Sequence, residues 1–390
     1  MAIVYEKQGQ GEHVFTLHTE HSTYQMKVDG HGYLLHLYYG GKVSGCMDYL
    51  LTYYDRGFSG NPAAAGLDRT YSLDTLPQEY PALGTGDFRS SALAVCNGDG
   101  SQCCDLKYAG HEVRKGKYGL KGLPAVYAEQ GEAETLEIRL RDLVSGVEVA
   151  LLYGVLEGED IITRSAVIKN GAGTGITVEK ALSGCLDFVA GEYDLIGFHG
   201  RHAMERNFQR TAIVHGNQVI GSRRGTSSHQ YNPAVIVAEK GAGEDNGSCY
   251  GMMFVYSGNF MCEAEMDQFG QTRVMMGLQS EYFRYPLEPG EELVLPEVIL
   301  GHTDRGLGKL SRMFHGLIRN HICRGKYAGQ ARPVLLNSWE AAYFDFNADT
   351  IVRLAESAAQ LGIDMVVMDD GWFGKREDDN SGLGDWQVNE

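Results

Sequence analysis

The sequence predicts a two-part β plus α/β protein: a large antiparallel β-sandwich up to about residue 302, a connecting helix, and a parallel βαβ unit from about residue 331. Three observations carry this. Short alternating apolar and polar runs broken by turn residues fill the first three hundred positions, in a chain with 51 glycines and only 9 prolines. A single amphipathic helical repeat follows between Leu307 and Ile322. Two apolar strand-length runs, separated by a capped helix, close the chain.

The 390 residues allow two domains, and 43% hydrophobic with 10% aromatic residues supplies real cores. A formal net charge of -17 argues against nucleic acid as partner and suits a neutral or cationic small molecule. Neither a signal-like apolar segment behind positive charge nor a membrane-length apolar run, about 18 residues, occurs in the sequence, so a soluble cytoplasmic protein is expected. The 8 cysteines have no metal-ligand spacing, and vicinal Cys103 and Cys104 suit a disulfide poorly; reduced thiols, with no metal and no cofactor, are expected.

In chain order, Tyr33 to Tyr39, Leu136 to Leu140, Val147 to Tyr153, Ile161 to Ile168, Ala234 to Ala238 and Met252 to Tyr256 read as strands, with a Ser145-Gly146 turn between two of them. Two loop regions interrupt the alternation. One runs from Tyr54-Asp-Arg-Gly-Phe-Ser-Gly-Asn-Pro62 through Arg69 to Ser72-Leu-Asp-Thr-Leu-Pro-Gln-Glu-Tyr-Pro81; the other comprises Gly200-Arg-His202 and Gly221-Ser-Arg-Arg-Gly-Thr-Ser-Ser-His-Gln230. Such loops are either functional or pinned by structural hydrogen bonds. Gly221 to Gly225 is no phosphate loop, because it lacks the Gly-Lys-Ser/Thr ending and the strand-to-helix setting.

Thr303-Asp304 precede Leu307, Leu310, Met313, Phe314, Leu317, Ile318 and Ile322 at helical spacing, which predicts a connecting helix within 303–330. Beyond it, Pro333-Val-Leu-Leu-Asn-Ser-Trp339-Glu340 and Ile363 to Met368 read as strands, the second buried on both faces. Between them Asn347 caps a helix whose apolar residues are Ile351, Leu354, Ala355, Ala358 and Leu361, and Gly362 ends it. A βαβ unit makes the strands parallel and adjacent, with Trp339, Asp369 and Asp370 at the same C-terminal edge, where parallel α/β folds hold their sites.

All 3 tryptophans, Trp339, Trp372 and Trp386, lie in this last region beside Asp345, Asp369, Asp370, Asp378, Asp379 and Asp385. Aromatic faces next to carboxylates are what a sugar needs: the ring takes the apolar face of a pyranose and the carboxylates accept its hydroxyls. A divalent metal held by Asp369, Asp370 and Asp378 is a competing reading. The structural alternative makes the tryptophans core residues and the aspartates helix caps.

The segments Leu336-Asn-Ser-Trp-Glu-Ala-Ala-Tyr-Phe-Asp-Phe346, Met368-Asp-Asp-Gly-Trp-Phe-Gly-Lys-Arg376 and Gly382-Leu-Gly-Asp-Trp386 resemble the start of the barrel in family 36 glycoside hydrolases, the microbial and related α-galactosidases. Ser72 to Pro81, Asp87-Phe-Arg89 and Arg224 to Gln230 resemble that family's N-terminal domain motifs. The resemblance implies an N-terminal β-supersandwich over 1–302, a helical connector over 303–330, and over 331–390 the first βαβ portion of a (β/α)8 TIM barrel. It also implies a homotetramer acting on α-galactoside oligosaccharides of the melibiose and raffinose type.

In the family a retaining reaction uses two carboxylates about 5 to 5.5 Å apart, one attacking the anomeric carbon and the other serving as acid and base. The nucleophile belongs to a Lys-Trp-Asp signature on a later strand, which this sequence lacks. Nucleophile and acid/base are therefore expected beyond Glu390, which makes the chain a piece of a longer enzyme and inactive by itself. What the resemblance carries over is substrate binding: Asp369 and Asp370 to galactosyl hydroxyls, and Trp339 to the pocket wall. Asp55 and Arg69 resemble residues that reach the pocket of a neighbouring subunit. Where family members often carry a tryptophan, this sequence has Phe198-His199, so His199 is the candidate contact there. An α-N-acetylgalactosaminidase, a galactosyl-transferring synthase, or a non-catalytic sugar-binding or assembly module are the alternatives.

Overall fold

The structure, a computed structural model, describes residues 2–9, 11–55 and 60–389. It divides into two compact units, residues 1–323 and 324–390.

Three antiparallel sheets build the first unit. Four strands form a simple meander: Ile3–Gln8, Glu12–His18, Ser22–Val28 and Leu34–Gly41. At the centre of a 10-stranded sheet, Val147–Leu156 and Ile161–Asn170 pair along their full length, from Val147 opposite Asn170 to Leu156 opposite Ile161. Their β-branched and leucine-rich sequences suit strands covered on both sides, and the turn between them needs Asp160 at φ 56, a conformation aspartate tolerates better than most residues. In the third sheet the 13-residue strand Ile176–Phe188 pairs with Thr272–Leu278, Leu93–Cys96 and Tyr285–Leu287. One continuous apolar core draws Phe15 and Tyr24 from the first sheet, Ile138 and Tyr153 from the second, and Val178 and Met275 from the third.

The motif Ser72 to Pro81, with Asp87 and Arg89, is folded into this unit's interior, whereas Gly200 to His202 and most of Arg223 to Gln230 stay at the surface. Glu79 is completely buried and accepts hydrogen bonds from Tyr24 Oη at 2.6 Å and Tyr153 Oη at 2.8 Å, with His36 Nδ1 at 3.0 Å and Arg164 Nη1 at 2.5 Å. Asp187 receives Nε and Nη2 of Arg273, both at 2.8 Å, and the remaining Nη1 reaches Asp87 at 2.9 Å. Arg89 Nε closes the cluster on Asp87 at 2.9 Å. Ser72 to Pro81, with Asp87 and Arg89, therefore serve as buried hydrogen-bonded struts, where the charges of Glu79, Asp87 and Arg89 are tolerated because each is paired.

Helix Gly306–Leu317 lies in this unit and buries Leu310, Met313, Phe314 and Leu317. The Phe314 ring sits over Gly251 so closely that a Cβ there would collide with it. A π-helical turn over Ile318–Ile322 follows, closed by the Cys323 N–H on the Ile318 carbonyl at 2.8 Å. All 8 cysteines are free thiols. Among the described residues no helix is long and apolar enough to cross a membrane.

In the second unit Leu335–Asn337 and Met365–Val367 pair in parallel, Leu335 opposite Met365 and Asn337 opposite Val367. Helix Ala348–Gln360 connects them; Asn347 caps it by accepting the Thr350 N–H at 3.1 Å, and Gly362 at φ 75 ends it. The expectation that the second strand is buried on both faces fails: Met365 is 41% exposed and Val366 and Val367 are only half-buried. A two-stranded sheet with one crossover helix has too little apolar cover for strands of this composition.

Candidate functional site

The two parallel strands place Asn337 and Val367 opposite one another, so the residues that follow them meet at one edge. Ser338, 1% exposed, donates its N–H to the Val367 carbonyl at 2.9 Å, and its Oγ accepts the Asp369 N–H at 3.1 Å. Asn337 Nδ2 donates to Asp369 Oδ2 at 2.7 Å, while Asn337 Oδ1 accepts the Trp339 N–H at 2.8 Å. Asp369 Oδ1 takes the Asp370 N–H at 2.8 Å. Asp370 is held by Arg376, whose Nη2 lies 3.1 Å from its Oδ2. Each carboxylate is thus oriented before any ligand arrives, and both are half-buried, which strengthens charge-assisted hydrogen bonds to a neutral donor.

Aromatic rings cluster in the same unit, and the Arg376 guanidinium lies within 6.0 Å of the Phe344 and Phe373 ring centroids. Trp339 opens the short helix Trp339–Ala342 and meets Phe344 edge-on at 4.9 Å and Tyr343 at 5.3 Å between centroids. Trp372 packs against Phe373 at 5.1 Å, and Phe373 against Trp386 at 4.7 Å. Gly371 links carboxylate to tryptophan at φ 99, and a Cβ there would stand 3.0 Å from the Phe346 ring. An arrangement of oriented carboxylate acceptors beside indole faces can bind a polyol. Among the described residues at this edge, no nucleophile is paired with a base. Glu390, after which the sequence reading expects the nucleophile and the acid/base, itself lies outside the described residues.

The structure brings Trp339, Asp369 and Asp370 together in the second unit, as the βαβ reading expects. Trp339 starts a helix instead of ending a strand, because the Asn337 side chain takes its N–H and turns the chain. Asp55 and Arg69 meet each other in the first unit, with Arg69 Nη2 3.1 Å from Asp55 Oδ1 and both side chains more than half exposed; residues 56–59 of that loop lie outside the described residues. His199 is exposed on strand Tyr193–Arg201 and lines a cavity of about 1040 Å³ together with Tyr231, Arg223 and Glu281.

Asp369, Asp370 and Asp378 do not converge on one point. Among the described residues, the group of His, Cys, Asp and Glu whose ligand atoms lie within 4.8 Å of one another is Glu20, His21 and Asp160. Asp160 there is engaged by the His21 N–H at 2.7 Å and the Thr19 hydroxyl at 2.9 Å, the pattern of a pinned turn. Asp378 instead accepts the Asn380 N–H at 2.9 Å, which holds its carboxyl below the usual range.

Sequence reasoning gave no role to Asn337, Ser338 or Arg376. Arg376 is 4% exposed, with its Nε buried and without a hydrogen-bond partner among the described residues. Leaving an N–H unpaired costs about 1 to 3 kcal/mol. The available signal was an arginine placed, after Lys375, directly before the acidic run Glu377 to Asp379.

Residues 32–288 match the Glycosyl hydrolase family 36 N-terminal domain, and residues 293–390 match Melibiase. The chain is 65% identical to the bifunctional alpha-galactosidase/sucrose kinase AgaSK of Mediterraneibacter gnavus, an alignment covering 100% of this chain and 41% of that protein. It is 46% identical to alpha-galactosidase AgaA of Geobacillus stearothermophilus, over 100% of this chain and 53% of the relative. The solved galactosidase domain of AgaSK superposes with a TM-score of 0.96 at 64% identity, over 100% of this chain and 54% of that one. A variant of Geobacillus stearothermophilus AgaA solved in complex with raffinose superposes at 0.93 with 46% identity, over 96% of this chain and 52% of that one. The chain thus spans between 41% and 53% of the length of these two curated relatives.

Proposed function

Because the chain belongs to glycosyl hydrolase family 36, we propose that it is the galactosyl-recognising part of an α-galactosidase that releases terminal α-galactosyl residues from galacto-oligosaccharides of the melibiose and raffinose type. The observation that carries the proposal is the strand-end pair Asp369 and Asp370, oriented by Asn337, Ser338 and Arg376 beside Trp339. Carboxylates held in place accept hydroxyl protons at little further entropic expense, and an indole face takes the apolar side of galactose.

In this proposal the reaction proceeds with retention, through a carboxylate nucleophile and a second carboxylate that first protonates the leaving oxygen and then activates water. Neither is assigned to a residue of these 390, whose role is to bind and orient the sugar. The exposed Asp55 and Arg69, and His199, complete the pocket of a neighbouring copy in a cytoplasmic homotetramer. The solved complex of an AgaA variant with raffinose supports the substrate class.

The experiment compares the 390-residue chain and the full-length protein on p-nitrophenyl α-galactoside, with a direct galactose titration of each. Binding by both and turnover by the full-length protein alone is expected. Turnover by the 390-residue chain would remove the division of labour proposed here, and absence of galactose binding by both would remove the sugar-site assignment.

A further inference from the structure

We infer that Arg376 is a positioning residue for Asp370, an inference that rests on the sugar-binding reading of this strand end. Nη2 of Arg376 donates to Asp370 Oδ2 at 3.1 Å, Nη1 donates to the Ser381 carbonyl at 2.5 Å, and Asp379 Oδ1 stands 3.5 Å from Nη2. The guanidinium lies 5.7 Å from the Phe344 ring centroid and 6.0 Å from that of Phe373. Packed between rings and tied at both Nη atoms, with its side chain 4% exposed, it has little freedom to follow Asp370; Asp370 follows it.

The two neighbouring carboxylates are prepared differently. Asp369 has both oxygens engaged, Oδ2 by Asn337 and Oδ1 by the Asp370 N–H, so backbone and sister strand fix it. Asp370 has Oδ2 on Arg376, and among the described residues no hydrogen bond to its Oδ1 is formed. Arg376 therefore selects the Asp370 rotamer and leaves Oδ1 as the acceptor offered to a galactosyl hydroxyl. It also couples that acceptor to the loop carrying Ser381, so that the loop and the carboxylate are set together.

The test uses the full-length protein and the variants Arg376→Gln, Arg376→Lys, Asp370→Asn and the double variant R376Q/D370N, read by kcat, KM and the inhibition constant for free galactose on p-nitrophenyl α-galactoside, with thermal midpoints alongside. Arg376→Gln is expected to raise the galactose inhibition constant about tenfold or more, as loss of an oriented charge-assisted acceptor requires. Arg376→Lys, which keeps the charge and loses the fork, is expected to raise it about threefold. In the Asp370→Asn background, Arg376→Gln is expected to add less than about twofold, since the carboxylate it positions is gone. An unchanged inhibition constant in a destabilised Arg376→Gln protein, or costs that simply multiply in the double variant, would overturn the inference by making Arg376 a loop anchor only. If Arg376→Gln does not fold, a folded Arg376→Lys protein with the wild-type constant overturns it equally. Wild-type galactose affinity in Asp370→Asn would instead bring down the sugar-site reading itself.

Discussion

Asn337 Nδ2 donates to Asp369 Oδ2 at 2.7 Å, so a residue at the end of one parallel strand holds a carboxylate that follows the end of the next. The same amide accepts the Trp339 N–H through its oxygen, which sets the ring and the carboxylate by one side chain. Replacing Asn337 with alanine is expected to weaken galactose binding by about 1 kcal/mol or more, while an aspartate, unable to donate to Asp369, is expected to be worse than alanine. Galactose inhibition constants of the two full-length variants, compared in one series, check the order.

Asp370 is expected to matter through hydrogen bonds, each about 1.5 to 3 kcal/mol when one partner is charged. Asp370→Asn keeps the shape and should lower kcat/KM on p-nitrophenyl α-galactoside by tenfold or more, roughly the loss of one such bond. Asp370→Ala is the poorer probe, because it strips the buried Arg376 guanidinium of its closest carboxylate. A wild-type kcat/KM in the asparagine variant would show that this carboxylate does not touch substrate.

Arg69 and Asp55 form an exposed pair, and such pairs contribute about 0.2 to 1 kcal/mol. Arg69→Ala should therefore leave the unfolding midpoint of the full-length protein nearly unchanged. If the loop reaches a neighbouring copy's pocket, the same variant raises KM. An unaltered KM, with the oligomer intact by light scattering, would confine Arg69 to its own surface.

Glu79 lies at the centre of the first unit. Burial alone would raise its pKa, but Arg164, His36 and Tyr24 outweigh burial and hold the carboxyl below its ordinary value. A carboxyl depressed in the folded state contributes stability above its unfolded value, about 4.3, and that contribution disappears as the pH falls further through the folded value. Glu79→Gln is expected to cost about 3 to 5 kcal/mol at neutral pH, since it leaves Arg164 buried and unpaired. Urea unfolding at pH 7 and pH 4 should show the variant losing less on acidification than the wild type.

His302 is buried against Tyr250, at 4.7 Å between centroids, with Nε2 2.9 Å from the Ser248 hydroxyl. Burial lowers its pKa from 6.5 to about 4, against a partial upward pull from Asp304 and Asp160. Between those values the unfolded chain binds the proton and the folded one does not, so stability falls with the pH from 6.5 towards 4, by on the order of 3 kcal/mol in total. His302→Gln should flatten the unfolding midpoint across this window; an equally steep dependence in the variant would place the titration elsewhere.

The sequence made legible what local chemistry enforces. Asn347 and Gly362 punctuate the last helix because a cap and a left-handed stop need those residue types, and the connecting helix shows its apolar stripe plainly. The strand-end site followed from chain direction alone, since a βαβ unit must place both C-terminal ends together. Less accessible were features set by partners far away in the chain. The strand Ile176–Phe188 serves three neighbours with register shifts, and no local pattern announces such sharing. Asp87 and Arg89 look like loop residues until Arg273, far along the chain, arrives to pair with Asp87. Arg376 sits in a stretch without periodicity, so its grip on Asp370 is a tertiary fact.

The uneven placement of tryptophan has a spectroscopic consequence. Trp339, Trp372 and Trp386 all belong to the second unit, while the first carries tyrosine and phenylalanine alone as its aromatic chromophores besides histidine. In the 390-residue chain, emission excited at the red edge of indole absorption thus reports only the strand-end region, and the far-ultraviolet dichroism of the sheets is dominated by the first unit. If the strand end binds galactose as proposed, a galactose titration is expected to change the indole emission while the β-rich unit stays optically silent. A denaturant series read in both channels yields two curves whose separation measures how far one unit's order depends on the other.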